Sequence, residues 1–81
     1  MKQILYFSAP WCGPCKQLGP IMDSLHGDIN FRKINVDVDS DLVTEHGIRN
    51  IPTMVLTVDG VPTSRQTGIM SRQQILDWYN G

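Results

Sequence analysis

The chain changes its apolar period several times. Ile4-Leu5-Tyr6-Phe7 is a continuous apolar run of β-favouring side chains closed by Ser8 and Pro10, which predicts a short buried strand. From Cys15 the pattern becomes helical: Leu18, Ile21, Met22 and Leu25 recur at i, i+3, i+4 and i+7, and Gly27 is a suitable stop after His26. Pro20 lies inside that stretch, deletes the bond its N–H would give to the Lys16 carbonyl, and is expected to bend the helix. Phe31 to Val38 reads as a second strand, in which Phe31, Lys33 and Asn35 alternate against Arg32, Ile34 and Val36. Lys33 then shares a face with Phe31, so a half-buried lysine is expected.

Asp39 or Ser40 can cap a short helix through His46 with Gly47 as its stop, and Ile48 to Ile51 leads extended into Pro52. Thr53 to Val58 is almost wholly apolar or β-branched, and Asp59-Gly60 is a two-residue hairpin signal joining it to Val61 to Thr67. Pro62 and the polar Ser64, Arg65 and Gln66 assign that last strand to a sheet edge. Ser71 and Gln74 form a capping box, Met70 and Ile75 a hydrophobic staple, and Ile75, Leu76 and Tyr79 a buried face of a final helix reaching about Asn80. The order is strand, helix, strand, helix, hairpin, helix: an α/β fold occupying residues 1–81 as one domain, without repeats or linkers.

Composition narrows the function. Seven Lys plus Arg against eight Asp plus Glu leave a net charge of −1 with no basic stripe, which argues against direct nucleic-acid binding. Met1-Lys2-Gln3 precedes only four apolar residues, too few for a signal-peptide core or a membrane span, so a cytoplasmic location is expected. A chain of 81 residues can bury a core without covalent staples.

Both cysteines nevertheless sit together, in Ser8-Ala9-Pro10-Trp11-Cys12-Gly13-Pro14-Cys15-Lys16. As a staple this four-residue loop would contribute only about 2 kcal/mol of loop entropy and tie no distant segments together. As chemistry the placement is apt. A thiolate is the reactive form, and Cys12 falls where a helix begins, so unpaired N–H groups of the first turn favour its anion. Pro14 suits a first turn, Gly13 lets a partner's backbone approach, and Cys15 lies one turn on, within reach for a reversible disulfide. Cys12 is expected to be the exposed attacker and Cys15 the more buried resolver. Other constellations have plainer readings. Asp37, Asp39 and Asp41 open like a calcium loop, but Leu42 and Ile48 occupy the positions of its glycine and glutamate, leaving a strand end and helix cap. His26 and His46 lie too far apart for a finger-type zinc site, and no metal is expected. Trp78, Tyr79 and the methionines Met22, Met54 and Met70 read as core and rim.

Trp11-Cys12-Gly13-Pro14-Cys15-Lys16 resembles the active-site box of the thioredoxin family in full, and the resemblance extends over essentially the whole chain through Pro20, Lys33, Gly47-Ile48-Arg49, Ile51-Pro52-Thr53, Gly60 and Gly68. It implies the minimal βαβαββα thioredoxin fold, a four-stranded mixed sheet in order 2-1-3-4 flanked by three helices, without the family's usual first strand and helix. It implies a cis Pro52 facing the sulfurs, with Ile51, Pro52, Thr67, Gly68 and Ile69 receiving an extended substrate segment, and Trp11, Gly13, Pro14, Lys16 and Lys33 supporting the site. The implied activity is reduction of protein disulfides by a monomer that binds no cofactor, recharged from NADPH through a flavin thioredoxin reductase, with targets such as ribonucleotide reductase. Tyr6 departs from the pattern: it stands where the family usually buries a carboxylate that assists the resolving cysteine. With an ordinary pKa of about 10 it is no base near neutrality, so Cys15 is expected to lose its proton to water or to neutral Lys33, with slower resolution. Two other readings fit the residues: a glutaredoxin-like, glutathione-dependent reductant, suggested by the short fold and Tyr6, and a non-catalytic thioredoxin-fold binding subunit.

Overall fold

The computed structural model describes residues 1–81. Its elements are β1 (Lys2–Ser8), α1 (Gly13–Asp23), β2 (Phe31–Asn35), α2 (Ser40–His46), β3 (Thr53–Val58), β4 (Val61–Thr67) and α3 (Arg72–Asn80). The strands form one sheet in the order β2-β1-β3-β4, with β1 parallel to β2 and β3 antiparallel to both its neighbours.

The central β1 shows why the sheet is covered on both faces. Its alternate residues enter different cores: Ile4 and Tyr6 join Leu18 and Met22 of α1, Ile75 of α3 and Met54 and Leu56 of β3, while Leu5 and Phe7 join Ile34 and Val55 under α2. A strand buried on both faces reads as a continuous apolar run, which is what Ile4 to Phe7 is. Burying a side chain of the size of Leu18 or Ile75 contributes about 1.5–3 kcal/mol. The polar members are satisfied: Thr57 Oγ1 on β3 donates to the Gln3 carbonyl at 2.9 Å.

The hairpin and the last helix match their sequence signals. Asp59 (φ 52°) and Gly60 (φ 82°) both adopt the left-handed conformation of a two-residue turn. All seven residues of β4 are exposed at the sheet edge. Ser71 Oγ accepts from the Gln74 N–H at 3.1 Å, and Gln74 Oε1 accepts from the Ser71 N–H at 2.9 Å, completing the capping box of α3.

Three elements have limits that differ from expectation. Pairing extends β1 to Lys2 and Ser8. The α1 helix ends at Asp23 and not His26: Ser24 Oγ takes the Ile21 carbonyl at 2.7 Å, and the N–H groups of Leu25 and His26 fall back to Met22 and Asp23, although Leu25 stays fully buried. The β2 strand stops at Asn35 instead of Val38. Its side-chain oxygen accepts the Asp37 N–H and its carbonyl accepts those of Val38 and Asp39, turning the chain toward α2.

Candidate active site

The end of β1 delivers the thiols. After Ser8 the chain turns through the Cys12 N–H to Ala9 carbonyl bond of 3.2 Å, and Cys12, in extended conformation (φ −84°, ψ 116°), becomes the N-cap of α1. Its sulfur takes the role usually filled by a serine or aspartate oxygen, accepting the Cys15 N–H at 3.3 Å. Pro14 costs the first turn nothing, because that N–H would have no helical partner. Cys12 and Cys15 are joined as a disulfide with Cα atoms 5.2 Å apart.

The two sulfurs have different walls. On the Cys12 side its Sγ lies 3.7 Å from the Ile51 carbonyl oxygen, next to the cis Ile51-Pro52 bond. The Pro52 carbonyl accepts from the Gly68 N–H at 2.9 Å, bringing the 67–69 segment alongside; Gly68 has φ 93°, a conformation natural to glycine. Ile69 is 46% exposed, and Thr67 is exposed with its hydroxyl 3.4 Å from that of Thr53. Trp11 is 66% exposed, yet its indole Nε1 donates to Asp37 Oδ2 at 2.8 Å, which fixes the ring beside Cys12. The exposed Trp11 and Ile69, on the two segments that adjoin the Ile51-Pro52 bond, give this side its apolar rim.

On the Cys15 side lies an open cavity of about 380 Å³, lined among others by Tyr6, Lys16, Asp23, Lys33 and Asn35. Tyr6 is 1% exposed, and its hydroxyl donates to the Cys15 carbonyl at 3.3 Å. Burial pushes its pKa above the usual 10; the Asp23 carboxylate raises it further and the Ser8 hydroxyl opposes the shift.

Two expectations are corrected. Cys12 is not the more exposed cysteine: both are 5% exposed, packed with Ala9 against the half-buried Val36 and Ile51. Lys33 is exposed rather than half-buried, because it pairs with Tyr6 across the sheet on a face that opens onto the cavity it lines. The structure brings Trp11, Cys12, Gly13, Pro14, Cys15 and Lys16 together with Ile51 and Pro52, and sets Gly68 and Ile69 beside them. Sequence reasoning missed Asp37 and Asp23 as site residues. In the sequence Asp37 reads only as part of a strand end and helix cap. Asp23 carries no distinguishing pattern, since its proximity to Tyr6 arises from the tertiary fold.

Comparison with known proteins follows the same lines. The family model Thioredoxin matches residues 1–80. A thioredoxin from Rickettsia felis is 40% identical over 78 residues, covering 91% of this chain and 74% of that protein. A thioredoxin from Haemophilus influenzae is 36% identical over 81 residues, covering 95% and 76%. Among solved structures, a mutant thioredoxin from Halobacterium salinarum NRC-1 superposes with a TM-score of 0.90 at 32% identity, covering 98% of this chain and 72% of that one. No helix is long and apolar enough to cross a membrane.

Proposed function

The chain belongs to the thioredoxin family, and from that premise we propose how its thiol-disulfide oxidoreductase chemistry runs. The supporting observation is the Cys12–Cys15 disulfide at the start of α1, with the Cys12 sulfur facing the Ile51 carbonyl beside Pro52. In the reduced protein Cys12 is the nucleophile. Its thiolate is favoured by the Cys15 N–H and by the positive end of α1, worth about 0.3–2 kcal/mol to an anion. A target's extended segment docks on Ile51, Pro52 and the 67–69 segment, using backbone bonds for affinity and the rim of Trp11 and Ile69 for apolar contact.

Cys12 attacks the target disulfide, forming a mixed disulfide and releasing one target thiolate. Cys15 then attacks Cys12, restoring the internal disulfide and releasing the second. The equal burial of the two cysteines assigns neither role, so the assignment rests on the N-cap position of Cys12 and its place beside the docking rim. Gly13-Pro14 favours a reducing member, recharged by an NADPH-dependent thioredoxin reductase, acting in the cytoplasm on disulfide-bearing enzymes of the ribonucleotide reductase kind. Lys16 and Lys33 contribute positive charge on the Cys15 side.

The test is NADPH consumption with insulin as acceptor, recharging with thioredoxin reductase or with glutathione and its reductase. Turnover with the former is expected. Turnover with glutathione alone replaces the proposed donor by glutathione. Silence with both, together with function retained after Cys12→Ser and Cys15→Ser, replaces catalysis by a binding role.

A further inference from the structure

The resolving step needs Cys15 held against Cys12 when no covalent bond links them. Its helix is poorly equipped for this. One backbone donor is absent from the interior of α1, at Pro20, and Gly13 and Gly19 add backbone freedom. The sheet compensates at one point: Tyr6, from the central strand, is the only sheet side chain hydrogen-bonded to α1, and it bonds the carbonyl of Cys15 itself. The link joins a phenol to a backbone carbonyl and uses neither sulfur, so opening the disulfide removes no atom of it.

We propose that Tyr6 is a positioning residue for the resolving cysteine: its buried hydroxyl, bonded to the Cys15 carbonyl, keeps Cys15 within reach of Cys12 in the mixed disulfide and in the dithiol. The inference rests on the dithiol exchange described above. In the step concerned, the Cys15 thiolate attacks the Cys12 sulfur. The Cys12–Cys15 bond forms as the bond from Cys12 to the target breaks, and the target sulfur leaves as a thiolate that takes a proton from water. The proton that Cys15 loses on becoming a thiolate passes to water, and over attack and release together the protein is oxidised by two electrons and the target reduced by two. Tyr6 exchanges no proton in this sequence; it raises the effective concentration of the attacking thiolate. The residue therefore exchanges the chemistry of a buried acid for geometry. Its hydroxyl stays a donor through the neutral range because burial keeps its pKa above the usual value.

Tyr6→Phe retains the ring and deletes the bond. Stopped-flow kinetics with an insulin-type disulfide peptide separate second-order attack by Cys12 from first-order release by Cys15. A net hydrogen bond of about 0.5–1.5 kcal/mol corresponds to a factor of about two to twelve. Release is expected to slow about threefold with attack unchanged. The equilibrium with glutathione should shift about threefold toward the dithiol, some ~14 mV at 29.6 mV per tenfold. Unchanged release, or both steps slowed in proportion, overturns the proposal. Absence of attack in the unaltered protein would instead overturn the dithiol exchange.

A second measurement avoids core damage: 3-fluorotyrosine incorporated in a Tyr79→Phe background, compared with the same protein bearing ordinary tyrosine. The fluorinated phenol ionises at lower pH and then cannot donate. The groups that face it from β1, α1 and β2, namely Cys15, Lys16, Asp23 and Lys33, are common to both proteins and cancel in the ratio. Release should slow relative to the tyrosine protein as pH rises through that ionisation, and a constant ratio overturns the proposal.

Discussion

Cys12 and Cys15 are equally buried, yet one adjoins a peptide carbonyl within an apolar rim and the other a polar cavity with a phenol, two lysines and a carboxylate. Exposure therefore does not separate their roles. What separates them is the chemistry opposite each sulfur: a surface able to align another chain, and an open space through which a proton can leave. One helix turn is enough to place two identical side chains in such different surroundings.

The strongest way to break this comparison is to remove each sulfur in turn. Cys12→Ser and Cys15→Ser should each reduce turnover by about a thousandfold or more. Only Cys15→Ser should accumulate a covalent mixed disulfide with the target, visible by non-reducing electrophoresis. Accumulation with Cys12→Ser instead would exchange the two roles.

Removing support beneath α1 tests whether the Cys15 side depends on the core. Leu18, one turn beyond Cys15, is fully buried with Met22 and Ile75. Leu18→Ala should cost about 2–5 kcal/mol in denaturant unfolding, with release by Cys15 impaired more than attack by Cys12.

Tyr6 supplies a pH signature confined to one side. Its folded pKa is raised above an unfolded value of about 10, so the protonated phenol is the form the fold favours. Its contribution is complete below pH 10 or so and is lost as pH rises through the folded pKa. Unfolding midpoints measured in urea from neutral to alkaline pH should show this loss, and Tyr6→Phe should remove that component of it. The smallest effect belongs to the Cys12 side: Asp37→Asn weakens the bond to the Trp11 indole and should raise KM for a protein disulfide about twofold with kcat unchanged.

Much of this was legible in the sequence because local rules and tertiary packing agree. Ile4 to Phe7, Asp59-Gly60 and the Ser71-Gln74 box each carry a signal that the surrounding fold only reinforces. The misplaced ends of α1 and β2 arose where a side chain competed for backbone bonds: Ser24 captured one helical carbonyl, and Asn35 folded the strand into a turn before the apolar pattern had ended. Lys33 alternates in register with Phe31, but periodicity specifies a face and not whether anything covers it. Asp37 reaches Trp11 across 26 positions, and no local period reports such a meeting.

Both free edges of the sheet carry cations: Arg32 and Lys33 on β2, and Arg65 on β4, where Pro62 also withholds a backbone donor. Two molecules approaching edge to edge would bring like charges together before their strands could pair. An electron carrier has to shuttle between donor and acceptor, and every encounter with its own kind delays delivery. Repelling borders oppose edge-to-edge strand pairing between two copies, a route to association separate from the apolar rim near Cys12.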